Sequence, residues 1–255
     1  MENKKYKLTG ESIEVKGKTL YRIEALKDFG EIKKGDKGGF IESENNLAHE
    51  GDAWVSDDAC VYDNARVSGK ARVYGEALVY GSACVYGYAC VFDNACVYGN
   101  ARVSDNASVC SNARVYGDAL VYDNARVSDN ASVSRYAQVH GNVWVYGYAR
   151  VSDNARVCGN ARVYGDALVR GDACVCGDAE ISTDADYIVF KNWWSSGRYF
   201  TWTRSNNMWS VGCFYGTGDE LVKKAYKDSS KSGRQYERIV KYVEETLKEE
   251  ENGGH

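Results

Sequence analysis

The chain repeats itself every six residues over more than half of its length, and this repeat restricts the possible folds more than any other feature. Residues 51–182 divide into 22 consecutive hexads with no insertion, each of the form Gly/Asp-x-Ala-x-Val-x. The third position is Ala in 21 hexads and the fifth is Val in 21, with Val143 and Ile181 as the exceptions. The first position is Gly or Asp in 20, with Ser111 and Arg135 as the exceptions. Such periodicity is typical of solenoids, whose repeats bury a core only when they stack.

The spacing of Ala and Val predicts short strands. Residues two apart on a strand point to the same side, so Ala and Val face inward and the residue between them faces outward. Gly, Asp and Asn, which are frequent at the corners between the strands, tolerate the positive φ that a tight corner can require. An α-helix is excluded because a six-residue period drifts around a helix of 3.6 residues per turn. The repeat therefore predicts stacked coils with a narrow interior column of Ala and Val.

Residues 79–84, Val-Tyr-Gly-Ser-Ala-Cys, show the phase Val-x-Gly-x-Ala-x. This phase resembles the hexapeptide repeat of left-handed parallel β-helix proteins. The resemblance implies a mainly β fold with a left-handed winding and three hexads in each triangular coil, so that the 22 hexads form about seven coils. Residues three hexads apart then stack in rows at a spacing of ~4.8 Å. The external row Tyr62, Tyr80, Tyr98 and Tyr116 is the clearest such prediction.

The layout of the whole chain is similar to a set of bacterial, phage and prophage proteins of unknown function that are described as polymer-forming. The similarity rests on the array of hexads together with residues 21–23, 28–30, 35–42 and 193–216. It is specific for architecture and implies almost nothing about activity.

Two segments, residues 1–50 and residues 183–255, flank the array at 51–182, and we expect them to cap its ends. An open end of a β-helix is an exposed sheet edge, which natural proteins protect. In the first segment, Ile41 and Leu47 keep the inward phase, which predicts one degenerate coil before the array. Strand-like alternation in this segment covers residues 5–8, 12–15 and 19–25.

The C-terminal segment is predicted to fold as a β-β-β-α-α module. Strand-like runs cover residues 187–191, 198–204 and 208–215. Thr217 and Ser232 each begin a capping box, so each predicts the N-terminus of a helix. In the second helix, one apolar stripe is expected to be buried. The stripe consists of Tyr236, Ile239, Val240, Val243 and Leu247.

The composition argues against several broad classes of protein. Acidic and basic residues are interspersed and the net charge is −4, so no sequence-specific nucleic-acid partner is expected. No run approaches the ~18–20 apolar residues of a membrane span, and no apolar stretch follows residues 1–5 as in a secretory signal. We therefore predict a cytoplasmic protein of a bacterial host, without membrane contact. Its nine cysteines are then expected to be reduced thiols.

Three histidines bear on catalysis, because many proteins with this type of repeat are acyltransferases that use a histidine as general base. They are His49 in the degenerate coil, His140 near an outer corner and His255 at the C-terminus. The array also has no inserted loop of the kind that builds an acyl-carrier cleft. We interpret His140 as a solvated corner residue and predict no catalytic residue and no cofactor. A hexapeptide acyltransferase is the weaker alternative.

One group of cysteines has a spacing that is close to that of metal ligands. Cys174 and Cys176 are separated by a single valine, and Cys158 occupies the equivalent position three hexads before Cys176 and so lies one coil below it. These residues are interpreted either as a zinc site or as small thiols that fill the outer face. The second interpretation is preferred, and no metal is predicted.

Residues 193–204 are the least repetitive and most aromatic stretch. One interpretation makes them the core of the module, packed on the last coil. The other makes them a binding surface, because Trp, Tyr and Arg dominate binding hot spots and can stack on bases. Strand alternation puts Phe200, Trp202 and Arg204 on one face, and we expect one face to be buried and the other free. The candidate ligand- or partner-binding residues are Trp193, Trp194, Arg198, Tyr199, Trp202 and Arg204.

Two functional hypotheses from different classes remain beside the weaker acyltransferase alternative. The preferred one is a non-catalytic structural or binding protein, a rigid homo-oligomeric scaffold, with a trimer favoured, that presents a surface to a ligand or partner. The resemblance to hexapeptide-repeat proteins, which often trimerise, implies oligomerisation. Trp on a flat outer face is also usually covered. The outward apolar residues are Trp54, Leu78, Leu120, Trp144 and Leu168. The alternative is a phage-encoded counter-defence protein that sequesters a host protein or a small anionic, nucleotide-like molecule.

Overall fold

A computed structural model describes residues 4–253 and contains a parallel β-solenoid of about eight turns, a small antiparallel sheet and two helices. Each hexad contributes one strand of two residues, which are the inward Val or Ile and the outward residue before it. The solenoid strands, β4 to β25, are Trp54–Val55, Cys60–Val61, Arg66–Val67, Arg72–Val73, Leu78–Val79, Cys84–Val85, Cys90–Val91, Cys96–Val97, Arg102–Val103, Ser108–Val109, Arg114–Val115, Leu120–Val121, Arg126–Val127, Ser132–Val133, Gln138–Val139, Trp144–Val145, Arg150–Val151, Arg156–Val157, Arg162–Val163, Leu168–Val169, Cys174–Val175 and Glu180–Ile181.

The strands form three parallel sheets because every third hexad stacks on the one before it. Cys90, for example, pairs with Arg72 on one side and with Ser108 on the other, each three hexads away. The three sheets contain ten, eight and seven strands, and the first of them includes three strands of the N-terminal segment. The inward Ala and Val of every hexad are buried. The interior is therefore one continuous column of small and β-branched side chains, as the repeat predicts.

The row of tyrosines confirms the predicted register of three hexads per coil. The ring centroids of Tyr62 and Tyr80 lie 5.1 Å apart, those of Tyr80 and Tyr98 lie 4.9 Å apart, and those of Tyr98 and Tyr116 lie 5.0 Å apart. The planes of successive rings differ by 1° to 3°. A coil of two or four hexads would separate these rings onto different faces.

The corners need a left-handed backbone, which explains the choice of Gly or Asp there. Gly99 has a φ of 72°, and a Cβ atom on it would lie 2.9 Å from the backbone nitrogen of Gly117 in the next coil. The acidic corners have a second role that the pattern did not reveal. Each carboxylate accepts a hydrogen bond of 3.0–3.5 Å from the backbone N–H at the equivalent corner of the next coil. These residues are Asp57, Asp63, Asp93, Asp105, Asp123, Asp129 and Asp153.

The N-terminal segment extends one of the three sheets. Strand β1 (Tyr6–Val15) pairs with β2 (Lys18–Ala25) in an antiparallel hairpin, and β2 pairs with β3 (Lys37–Ile41). The two runs predicted at 5–8 and 12–15 are thus parts of one strand, because a register shift between Leu8 and Ser12 interrupts the alternation without ending the pairing.

A degenerate coil precedes the array, as predicted from the inward phase of Ile41 and Leu47. Ile41 pairs in parallel with Val61, and Leu47 bridges to Val67. Both side chains are fully buried. A short 3₁₀ helix, Glu44–Asn46, lies between them. This coil accounts for one turn more than the hexads alone supply.

The C-terminal module contains four strands where the sequence predicts three. They are β26 (Tyr187–Lys191), β27 (Tyr199–Thr203), β28 (Met208–Val211) and β29 (Phe214–Gly216), paired in that order, and a 3₁₀ helix at Asp184–Asp186 precedes them. The run predicted at 208–215 is divided because Gly212 adopts a φ of 59° and turns the chain.

Two helices complete the module. Helix α1 (Gly218–Asp228) begins at the predicted capping box, in which the Thr217 hydroxyl accepts the backbone N–H of Glu220. Helix α2 (Ser230–Gly253) begins before the predicted box at Ser232, because the Ser229 hydroxyl already accepts the N–H of Ser232. The predicted stripe of the second helix packs into the module's core.

One expectation about the cysteines is wrong, since Cys158 and Cys176 form a disulfide. The two residues follow inward valines in successive coils, and their Cα atoms lie 4.6 Å apart. Exact stacking of equivalent positions is therefore what brings them within bonding distance. The other seven cysteines are free thiols.

Candidate functional site

The structure divides the six predicted binding residues between the core and the surface of the module. Trp194 and Trp202 belong to the core and are 8% and 1% exposed. The Trp202 indole N–H donates to Oδ1 of Asn207 at 2.8 Å. The Trp194 indole is packed edge-on against Tyr236, and its N–H is buried without a hydrogen-bond partner among residues 4–253. The assignment of these two residues to a binding surface is therefore corrected, because the sheet and the helices close around them.

Both faces of strand β27 are buried from Phe200 to Thr203, so the expectation of one free face is also wrong. Phe200 and Trp202 face the module's core, whereas Thr201 and Thr203 are buried on the opposite side. The Thr201 hydroxyl accepts the backbone N–H of Cys174, in the last full coil, at 2.8 Å. The solenoid covers this second face, which alternation within the strand alone cannot predict.

Arg204 remains on the surface, where it pairs with Glu250 of helix α2. Its backbone N–H also donates to the carbonyl of Asp186. The side chain thus ties the end of strand β27 to the second helix.

Three of the predicted residues are exposed near one another in sequence: Trp193, Arg198 and Tyr199. Trp193 is 77% exposed and rests edge-on against Trp194. Arg198 is exposed and makes no ion pair among residues 4–253. These three residues are the part of the predicted set that is available to a ligand or partner.

Arg198 borders two cavities. One, of about 410 Å³, lies within the module and is also lined by Asn192, Phe214 and Tyr236. The second, of about 240 Å³, lies at the junction with the solenoid. A side chain that reaches both cavities can contact a bound group in either.

The junction cavity combines positive charge with an aromatic ring. It is lined by Arg156 of the solenoid and by Arg198 and Tyr199 of the module. Asp172 also lines it and accepts a hydrogen bond from the Asn154 side chain at 3.2 Å. Two guanidinium groups supply planar donor forks, which suit phosphate or carboxylate groups.

A groove near the N-terminus is a second candidate, and the sequence argument missed it. Its volume is about 500 Å³, within the range of small-molecule sites, and Lys70 and Arg72 contribute positive charge. Arg72 pairs with Glu31 at 2.8 Å, and the Lys70 ammonium lies 5.1 Å from the centre of the Tyr88 ring. The loop that carries Glu31 closes over the solenoid face, and no repeat signals its position.

Trp54, at the back of this groove, is not available to a second chain. It is 4% exposed because Tyr6 and Phe29 pack edge-on against its ring. Its assignment to an oligomer interface is therefore wrong. Trp144, by contrast, is 42% exposed on the same sheet.

The histidines occupy structured positions. His49 stacks on Tyr6 with ring centroids 4.4 Å apart, and its Nδ1 accepts the backbone N–H of Lys5 at 3.3 Å. His140 stacks on Tyr122 at 4.8 Å, and its Nδ1 lies 3.8 Å from Asp123. His255 lies outside the described residues.

One group of side chains within residues 4–253 has the composition and spacing of a metal site. The sulfur atoms of Cys158, Cys174 and Cys176 all lie within 4.8 Å of one another. The sequence also predicts that these three residues lie together. The preferred interpretation from the sequence is that they are small thiols that fill the outer face. In the structure they are half-buried beneath the C-terminal module.

The comparisons with known proteins concern the repeat. A family model described as the YdcK beta solenoid repeat matches residues 59–75, 71–87, 95–111, 121–135, 125–141, 149–163 and 155–171. The chain is therefore a β-solenoid repeat protein, and both flanking segments lie outside the match. No curated protein matches the chain. Neither helix of the described chain is long and apolar enough to cross a membrane.

Proposed function

We propose that the chain is a rigid, non-catalytic scaffold that binds a partner through its C-terminal module and the adjoining solenoid face. The position of Arg198 supports this most, since its guanidinium has no ion pair among the described residues and borders two cavities. Trp193 adds an indole that is 77% exposed. Exposed Trp and Arg are the residue types that contribute most to binding energy.

The solenoid is the rigid part of this scaffold. Successive coils are joined by regular backbone hydrogen bonds, such as that from the Cys90 N–H to the Ala107 carbonyl at 3.0 Å. We propose that it winds left-handed and that the two flanking segments cap its ends. The stacking of both described histidines on tyrosine rings favours a structural over a catalytic role for them.

The scaffold is proposed to be a homo-oligomer, with a trimer favoured, in the bacterial cytoplasm. Trp144 supports an interface, because it stands 42% exposed on a flat sheet. Sedimentation velocity over a dilution series should show a Trp144→Glu variant dissociating at higher concentration than the wild type. A wild-type chain that is monomeric at micromolar concentration would contradict the oligomer.

The binding surface is tested by affinity capture with the tagged full chain and quantitative mass spectrometry of the retained proteins. Arg198→Ala or Trp193→Ala should reduce retention of a partner at least tenfold, which corresponds to about 1.4 kcal/mol. Arg102→Ala is the matched control, because Arg102 is exposed on the solenoid without an ion pair in the described chain. Loss with the control alone would move the site onto the solenoid, and retention of no protein by the wild type would contradict the proposal.

A second candidate function is sequestration of a small anionic, nucleotide-like molecule, as in a counter-defence protein. The observation that favours it is the pair of guanidinium groups, Arg156 and Arg198, beside Tyr199 in the junction cavity. Calorimetric titration with ATP and with inorganic phosphate would distinguish base stacking from phosphate binding. Both variants, Arg156→Ala and Arg198→Ala, should weaken ATP binding, whereas Arg102→Ala should not. Equal affinity in all four proteins would exclude this cavity.

A further inference from the structure

Three sulfur atoms meet beneath the C-terminal module. The Sγ atoms of Cys174 and Cys176 lie 3.5 Å apart, and Cys176 is bonded to Cys158 of the preceding coil. The three atoms all lie within 4.8 Å of one another. The cluster therefore consists of one disulfide and a third thiol in direct contact with it.

This arrangement differs from that of the other outward cysteines. Within the described chain, the thiols of Cys84, Cys90 and Cys96 each make one hydrogen bond, to the carbonyl oxygen two residues earlier, at 3.7–3.8 Å. They occupy the same position in their hexads as Cys174. Proximity of sulfur atoms is thus a property of this corner and not of the repeat.

The spacing is close to that of a tetrahedral thiolate site. Zinc–sulfur bonds of about 2.3 Å place the sulfur atoms of such a site about 3.8 Å apart. The pair Cys174 and Cys176 is already near this separation, at 3.5 Å. Reduction of the disulfide would free the sulfur atoms of Cys158 and Cys176 to separate by side-chain rotation.

The surroundings can complete and cover such a site. Two buried residues of the module, Thr201 and Ser210, lie against Cys174, and the Thr201 hydroxyl accepts a hydrogen bond from the backbone N–H of Cys174. Cys174 also lines the junction cavity of about 240 Å³, which gives an ion an entry path and leaves room for a fourth ligand. The cluster is therefore shielded on one side and open on the other.

The charge of the neighbouring coil also suits a metal. Arg156 lies directly below Cys174 in the register of the sheet. A divalent ion with three thiolates carries one net negative charge, and the adjacent guanidinium offsets it. Cysteine thiolates select soft or borderline ions such as zinc.

We propose that Cys158, Cys174 and Cys176, when the disulfide is reduced, bind one thiophilic divalent ion per chain. The reductant is a two-electron donor such as a phosphine, which becomes a phosphine oxide with oxygen from water and leaves two thiols. Binding then forms three metal–sulfur bonds and releases three protons, one from each thiol. A water molecule or a group from the junction cavity fills the fourth position.

The test uses the tag-free full chain with Co²⁺ and Zn²⁺ as the probes. The phosphine-reduced wild type should bind one Co²⁺ with thiolate-to-metal charge-transfer bands, and Zn²⁺ should displace it. Cys174→Ser and Cys158→Ser should each weaken Zn²⁺ at least tenfold in competition with a chromophoric chelator. Cys96→Ser removes a thiol from an equivalent hexad position and is the matched control.

Each outcome decides the proposal. Charge-transfer bands in the reduced wild type and the control, lost in the oxidised protein and in Cys174→Ser, would support it. Reduced wild type without these bands would overturn it, as would a Cys174→Ser variant that binds Zn²⁺ as tightly as the control. Circular dichroism of each variant separates loss of the site from loss of the fold.

Discussion

The carboxylate of Asp129 accepts a hydrogen bond of 3.0 Å from the backbone N–H of Gly147, at the same corner of the next coil. The backbone N–H at a corner points away from the hydrogen-bond ladders of the sheets. A glycine at the equivalent corner of the preceding coil has no side chain that could accept a hydrogen bond from it. Asp therefore supplies both the left-handed conformation, with a φ of 57° at Asp129, and a partner for a neighbouring backbone donor.

Replacement of Asp129 separates these two contributions. Asp129→Ala should lower the free energy of unfolding by about 2 kcal/mol, because it loses the hydrogen bond and because Ala lacks the short polar side chain that lets Asp adopt a positive φ. Asp129→Asn should cost less than about 0.5 kcal/mol, since its amide oxygen accepts the same N–H and Asn tolerates this conformation. Urea denaturation measures both. Equal losses would mean that the carboxylate contributes only through its charge.

The interior column should not tolerate a charge. Val97 is fully buried, so Val97→Asp places a carboxylate without a partner in the core and should cost about 3 kcal/mol or more. Arg102 is exposed, and Arg102→Asp should cost less than about 1 kcal/mol. Thermal melts of the two variants provide the comparison. Matching transition temperatures would invalidate the assignment of inward and outward positions.

The stability of the junction between the solenoid and the module should depend on pH through the carboxyl group of Asp186. Burial raises the pKa of its carboxyl, but hydrogen bonds from Ser182 and Thr183 outweigh this and hold the pKa below its usual 3.8. A lowered pKa in the folded state stabilises the protein above about pH 4, and this stability is lost as the pH falls below that value.

A comparison of Asp186→Asn with the wild type isolates this contribution. The variant should be about 1–3 kcal/mol less stable at pH 7, because its NH₂ group faces the same donors. The difference should shrink at pH 3. Asp166→Asn serves as control, since the Asp166 side chain makes no hydrogen bond within residues 4–253. Urea denaturation at both pH values measures the difference in stability. A difference that stays constant between the two pH values would contradict the role of the carboxylate.

A ladder of side-chain amides runs along one corner of the solenoid. Asn142 accepts a hydrogen bond of 3.0 Å from Asn124 and donates one of 3.0 Å to Asn160. Asn142→Ala should cost about 1 kcal/mol in the free energy of unfolding, because two neighbours lose a partner. Asn130 occupies the same hexad position without a side-chain hydrogen bond in the described chain, so Asn130→Ala should be nearly neutral. Comparable urea midpoints for the two variants would show that the ladder does not stabilise the fold.

The register of the solenoid could be predicted because each hexad repeats the same inward pair. Tyr80 and Tyr98 stack as the three-hexad coil requires. The hydrogen bond from Gly147 to Asp129 could not be predicted, because glycine and aspartate satisfy the same corner conformation and the donor is a backbone group in another coil.

The module was harder to predict, because its burial depends on partners from outside each strand. Thr201 is buried only because Cys174 of the last full coil lies against it. Trp202 was assigned to a candidate binding surface although the module's core encloses it. Alternation along a strand defines two faces but not what covers them.

Because equivalent corners stack, the length of the solenoid and the direction in which the C-terminal module faces can change independently. Three sheets surround the core, and each coil of three hexads pairs only with the coils directly above and below it. Gain or loss of one whole coil would move the C-terminal module by ~4.8 Å along the axis and keep it facing the same way. Gain or loss of a single hexad would instead turn the module by about a third of a revolution relative to the N-terminal hairpin. A change of one hexad therefore alters which side of the molecule presents Arg198, whereas a change of three alters only its reach.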